Sequence, residues 1–135
     1  MGTKEIVTAI LEVAKGVIEL IPQLRAARRE KRLRVARLMG QISDCLITVS
    51  AEIRKGNVPN GQCGQLIGFA NQLPRTIQSL TGKKRARQLA DQLHAAYNVE
   101  MLAVRLEKLK KKEPYLAKLE EAGGKFRAVA QVLQA

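Results

Sequence analysis

The sequence predicts an all-α fold, a helical bundle of four long helices plus an N-terminal hydrophobic helix. Three observations carry that reading. Nearly half of the 135 residues are apolar, and they are chiefly Leu, Ile, Val and Ala, with only four aromatics, a mix that suits helix packing better than pleated sheet. Apolar positions recur at three- and four-residue spacing through most of the chain, and strand-like alternation is hard to find. Pro and Gly fall where such a pattern would start or stop. The length fits one domain over residues 1–135, with a hydrophobic helix over 1–21 and a basic bundle over 25–135. Periodicity that runs to the last residue points to a domain cut from something longer.

The first helix starts with Thr3 as N-cap and ends near Ile21, stopped by Pro22. Thr8, Glu12, Lys15 and Glu19 form one narrow polar stripe, and almost everything else on the helix is apolar. Such a helix is expected to be buried, in protein or in lipid. The densest charge follows at once: Arg25, Arg28, Arg29, Lys31, Arg32, Arg34 and Arg37, opposed only by Glu30. A second helix is expected from about Ala27 to Lys55, with Gly56 beyond its C-terminus. Its core stripe is Val35, Leu38, Ile42, Cys45 or Leu46, Val49 and Ile53.

Gly56–Gly61 reads as a loop. The third helix carries Cys63, Leu66, Ala70, Leu73, Ile77 and Leu80, with Pro74 predicting a kink or break near Leu73 and Gly82 closing it. Lys83, Lys84, Arg85 and Arg87 open a fourth helix, on the wrong side of its dipole. It continues through Leu89, Leu93, Ala96, Tyr97 and Leu106 to the lysines at 108 and 110–112. Glu113-Pro114 starts a fifth, with Leu116, Leu119, Ala122, Phe126, Val129 and Leu133 as its stripe. Gly123-Gly124 is expected to weaken its middle, by about 1 kcal/mol each against Ala.

Catalytic chemistry has no foothold in this sequence. His94 is the lone histidine, and its helical setting makes it a structural side chain rather than a general base. Nucleophile motifs, phosphate loops, HExxH and paired Cys/His ligand sets are absent. The sequence therefore predicts no enzyme, no metal and no cofactor. Cys45 and Cys63 read as thiols in a reducing compartment, with a disulfide between them as the minor alternative. Neither a secretory signal, a transmembrane span nor a myristoylation pattern is present, so a cytoplasmic resting state is expected.

A net charge of +12 makes a statement about partners: nucleic acid, an anionic membrane leaflet or an acidic protein. Scarce aromatics argue against single-stranded nucleic acid, and the lack of Trp argues mildly against membranes. A membrane reading nevertheless accounts for the apolar first helix and the basic block together. Basic residues near an anionic leaflet contribute about 1 kcal/mol each in favourable cases, and the first helix, once released, has apolar faces to bury among acyl chains. Oligomers would turn its charged stripe inward.

The apolar helix Glu5–Ile21 at the extreme N-terminus, the basic start of helix two at Arg28–Arg37, the long helix to Lys55, the Gly56–Gly61 loop and the paired helices through Leu106 follow one another in a familiar order. In that order the sequence resembles the HeLo-type membrane-targeting cell-death bundles: fungal HeLo domains, the N-terminal bundle of mixed lineage kinase domain-like proteins, and bacterial counterparts. The resemblance covers most of the chain as a pattern of helices, without a signature motif. It implies a domain that oligomerises and permeabilises the inner face of the cell membrane when a sensor or amyloid-type segment triggers it. It further implies that Ile6, Ile10, Val13, Val17, Ile18 and Ile21 insert, while Arg28, Arg29, Lys31, Arg32 and Arg34 meet lipid headgroups. Two other classes compete: a nucleic-acid-binding bundle using the same arginines on phosphates, and an adaptor bundle whose first helix is permanent core.

Overall fold

The computed structural model describes residues 3–95 and 111–135, and within them the chain is helical with no strand. Six helices are formed among the described residues: α1 (Thr3–Glu19), α2 (Ile21–Arg25), α3 (Arg29–Arg54), α4 (Asn60–Thr81), α5 (Lys83–Ala95) and α6 (Glu113–Gln134). The expected continuation of the fourth helix from Ala96 to Leu106, with Tyr97, and the lysines at 108 and 110 lie outside the described residues, as do the side chains of Cys63 and His94.

Pro22 does not simply stop the first helix, as its missing N–H predicts. α1 ends at Glu19, two residues before Ile21, and Pro22 sits at the start of a new one-turn helix, where the missing donor costs nothing. Pro74 does not break α4 either. Leu73 and Ile77 are buried on either side of it, and their packing carries the helix across the lost hydrogen bond. Gly56 and Gly82 hold positive φ, 84° and 88°, and close α3 and α4 as expected for residues without a Cβ.

Five of the helices close into a ring, α3 on α6 and α4, α4 on α5, α5 on α1, and α1 on α6, while the short α2 touches α6, α1, α3 and α4. Contacts along the α3–α6 seam set its direction. Arg32 Nε donates to the Leu133 carbonyl at 3.0 Å, Arg127 bonds Asp44 at 2.9 Å and Ser50 Oγ donates to Glu120 at 2.8 Å, so the two helices are antiparallel. Their core stripes are the predicted ones, and Val35, Leu38, Ile42, Val49 and Ile53 meet Leu116, Leu119, Phe126, Val129 and Leu133 in one hydrophobic cluster. Gly123 is the contact point of this seam. A Cβ there would stand 3.1 Å from Ile47 Cγ1 and 3.4 Å from the Ser43 carbonyl. The residue read from sequence as a weak spot is what lets α3 and α6 approach.

An ionic clasp binds the far end of the same seam. Arg54 pairs with Glu113 at 3.0 Å and with Glu120. Hydrogen bonds from Arg54 hold the Glu113 carboxyl below the usual carboxylate range; those from Ser50 and then Arg54 do the same for Glu120. A carboxylate depressed in the folded state contributes stability above its ordinary pKa and loses it as pH falls through the folded value. Arg54→Met is therefore expected to lower Tm by a few degrees at pH 7 and to flatten the fall in Tm below about pH 4, read by circular dichroism across pH. An unchanged acid limb would mean that the clasp contributes nothing to acid sensitivity. Arg54 and Glu120 are partly exposed and Glu113 is mostly so, and solvent screening keeps the effect small.

Candidate functional site

The predicted inserting residues are core. Ile6, Ile10, Val13 and Val17 are fully enclosed, and Ile18 in α1 and Ile21 in α2 are half-buried against the same cluster. α1 is a rim member of the ring rather than its central rod: it leans on α6 and α5 and keeps Thr8, Glu12, Lys15 and Glu19 in solvent, as the polar stripe requires. Gly16 fits it closely to α5, where a Cβ would meet Leu89 Cδ2 at 2.8 Å and Arg85 Nη2 at 3.0 Å. Arg85 reaches on to Glu19 at 3.7 Å. No helix among the described residues is long and apolar enough to cross a membrane.

The predicted headgroup residues divide. Arg28, Arg29, Lys31 and Arg34 are exposed; Arg34 pairs with Glu30 at 3.3 Å. Arg32 is half-buried, and its Nε is engaged by the last turn of α6, where a cation suits the carbonyl end of the dipole. Lys31 Nζ reaches Ser79 Oγ at 3.5 Å, so the start of α3 lies beside the end of α4.

That contact brings together two basic blocks separated by some fifty residues of sequence. α4 passes into α5 through Gly82 alone, which sets Lys83 and Lys84 at the same end of the ring as Arg25, Arg28, Arg29 and Lys31. All six are exposed. The N-termini of α3 and α5 both lie here. α3 has Glu30 as its one acidic first-turn residue, and α5 has none. Neither Arg28 at the start of α3 nor any side chain near it caps the helix. Cations therefore crowd two positive dipole ends; the C-termini of α1, α4 and α6 close at the same end and offset part of that cost, and the remaining excess of cations favours an anion placed there. Sequence showed each block singly; only the α3–α4 pairing shows that they converge. At the opposite end cations have partners, in the Arg54 clasp and in Lys55–Glu52 at 3.7 Å, although Lys4, Lys111 and Lys118 border a hollow there with Tyr115.

No group of His, Cys, Asp and Glu among the described residues is placed to hold a metal. Cys45 is a buried free thiol that donates to the Gln62 carbonyl at 3.0 Å. Burial pushes its pKa up to about 11, which suppresses the thiolate near neutral pH and makes it a poor nucleophile. In comparisons with known proteins the chain matches no family model, no curated protein and no solved structure.

Proposed function

We propose that this chain is a membrane-targeting helical bundle of the cell-death type, which docks its cationic end on anionic lipid and permeabilises the bilayer when α1 leaves the ring and the chains oligomerise. The observation that carries the reading is the crowding of Arg25, Arg28, Arg29, Lys31, Lys83 and Lys84 around two helix N-termini at one end. An anionic surface relieves repulsion that folding alone leaves in place. Kinship with HeLo-type bundles belongs to the same proposal and rests on the order of the helices.

The fold sets two conditions on the second step. α1 buries Ile6, Val7, Ile10, Leu11, Val13, Ala14 and Val17. At about 1.5–3 kcal/mol per large aliphatic side chain, unaided release costs about as much as a domain's whole stability. Lipid must therefore rebury those faces as they leave, or a trigger must loosen the ring first. In addition, the C-terminus of α1 sits at the cationic end, and its N-terminus lies about 25 Å away at helical rise. Insertion then requires a swing about Leu20, where α1 and α2 already break.

The test holds α1 in place without unfolding the bundle. In a background without Cys45 and Cys63, Lys4→Cys and Lys118→Cys, which border one hollow at the end of α1 far from Leu20, are joined by a bifunctional maleimide across the α1–α6 contact. Dye leakage from anionic vesicles is expected to rise more than linearly with protein concentration in the unlinked protein and to vanish on cross-linking, while vesicle binding persists. Undiminished leakage from the cross-linked protein would remove α1 from the mechanism. Binding to neither vesicles nor nucleic acid would favour the adaptor reading.

A further inference from the structure

Between α3 and α4 the ring opens outward into a long groove. One half, about 350 Å³, is bordered by Arg34, Arg37 and Arg75, with Gln72 and Thr76 between them. The other half, about 410 Å³, is bordered by Thr48, Gln62, Gln65 and Phe69, with Asp44 on its rim. Gln41 borders both halves, so the groove is continuous. At helical rise its floor from Gln62 to Arg75 measures about 20 Å, the span of about six residues of extended chain.

The two halves ask for different chemistry. Among the described residues Arg37 and Arg75 pair with no carboxylate, while Arg34 pairs with Glu30, which borders a neighbouring hollow with Arg34 and Arg37. Three planar guanidinium groups suit carboxylate or phosphate oxygens. The other half carries neutral amides, each able to donate and accept at once, as a peptide main chain does. A nucleic-acid strand puts a phosphate on every unit and needs cations along its whole path; here the cations stop at Gln41 and the far rim carries Asp44, already held by Arg127 at 2.9 Å. A bilayer is flat and does not enter a groove that runs along the side of the ring.

We propose that the α3/α4 groove binds an extended peptide segment of a partner protein, with carboxylates at one end seated on Arg34, Arg37 and Arg75 and its main chain read by the glutamine amides. This site adjoins the lipid-docking end, since Arg34 lies one turn from Lys31, but it does not rest on the membrane reading.

Fluorescence anisotropy with the intact chain tests it. The labelled probes are eight-residue Ser/Gln peptides with three Glu at one end, or with none, and an oligothymidylate of similar length; tripolyphosphate serves as competitor. The acidic peptides are expected to bind at least about tenfold tighter than the neutral one, since each charge-assisted contact contributes on that scale. Arg37→Gln with Arg75→Gln should erase that margin, and Lys83→Gln with Lys84→Gln should leave it intact while weakening vesicle binding. Equal binding of acidic and neutral peptides, indifference to the arginine pair, tighter binding of the oligonucleotide, or complete displacement by stoichiometric tripolyphosphate would each overturn the proposal. The anisotropy measurement contains no vesicles, so peptide binding is read the same way whether or not the chain docks on lipid.

Discussion

Val13→Asp is expected to abolish folding. Val13 is fully enclosed within the cluster that α1 forms with α5 and α6, and an ionised carboxylate there finds no cation within the apolar surroundings. An unpaired buried charge costs several kcal/mol even after relaxation, and the lost valine packing adds about 2 kcal/mol. Together they reach about 5 kcal/mol or more, the lower range of what holds a domain of this size. By contrast Ile10→Val, at an equally enclosed position, removes one methylene and should cost about 1 kcal/mol, seen as a modest fall in the denaturation midpoint with an unchanged slope. If Val13→Asp kept a cooperative melt near the wild-type temperature, α1 would be a detachable appendage in the resting state. For the same energetic reason, deletion of residues 1–21 cannot serve as a functional test. It removes a wall of the core, so lost leakage after deletion reports lost folding.

What the sequence made legible was whatever depends on local periodicity. The stripes of α3 and α6 are core because heptad spacing on long helices leaves one face to bury. Gly56 and Gly82 end helices because a positive φ can be recognised from residue type. Features that depend on which helix lies beside which were illegible. Arg75 joins Arg34 and Arg37 only across the α3/α4 groove, and Arg54 meets Glu113 and Glu120 only through the antiparallel α3–α6 seam. Gly123 misled in an instructive way: helix propensity counts a missing side chain as a loss, whereas the seam uses that space for Ile47. Pro22 and Pro74 carried the rule for a helix interior, yet one begins a helix and the other is spanned by packed neighbours. The narrow polar stripe of α1 foretold burial but not the neighbours that supply it.

Reversing the charge of the cationic end should have the largest effect on binding. Arg28→Glu, Arg29→Glu, Lys83→Glu and Lys84→Glu alter exposed residues, and replacing cations with acids at the N-termini of α3 and α5 also turns an unfavourable dipole interaction into a favourable one. The folded state should therefore be unharmed or slightly stabilised while function is lost, which separates this variant from any core substitution. At about 1 kcal/mol per basic residue near an anionic leaflet, removing four attractions and adding four repulsions is expected to weaken partition onto anionic vesicles by about a thousandfold or more, with the loss shrinking as salt rises and the Debye length contracts. Sedimentation with vesicles of mixed neutral and anionic lipid measures it directly. Partition that survives reversal would move docking elsewhere, to the hollow among Lys4, Lys111 and Lys118 at the opposite end. That result would also reverse the geometry of α1 release, since the N-terminus of α1 would then face the bilayer first and no swing about Leu20 would be required.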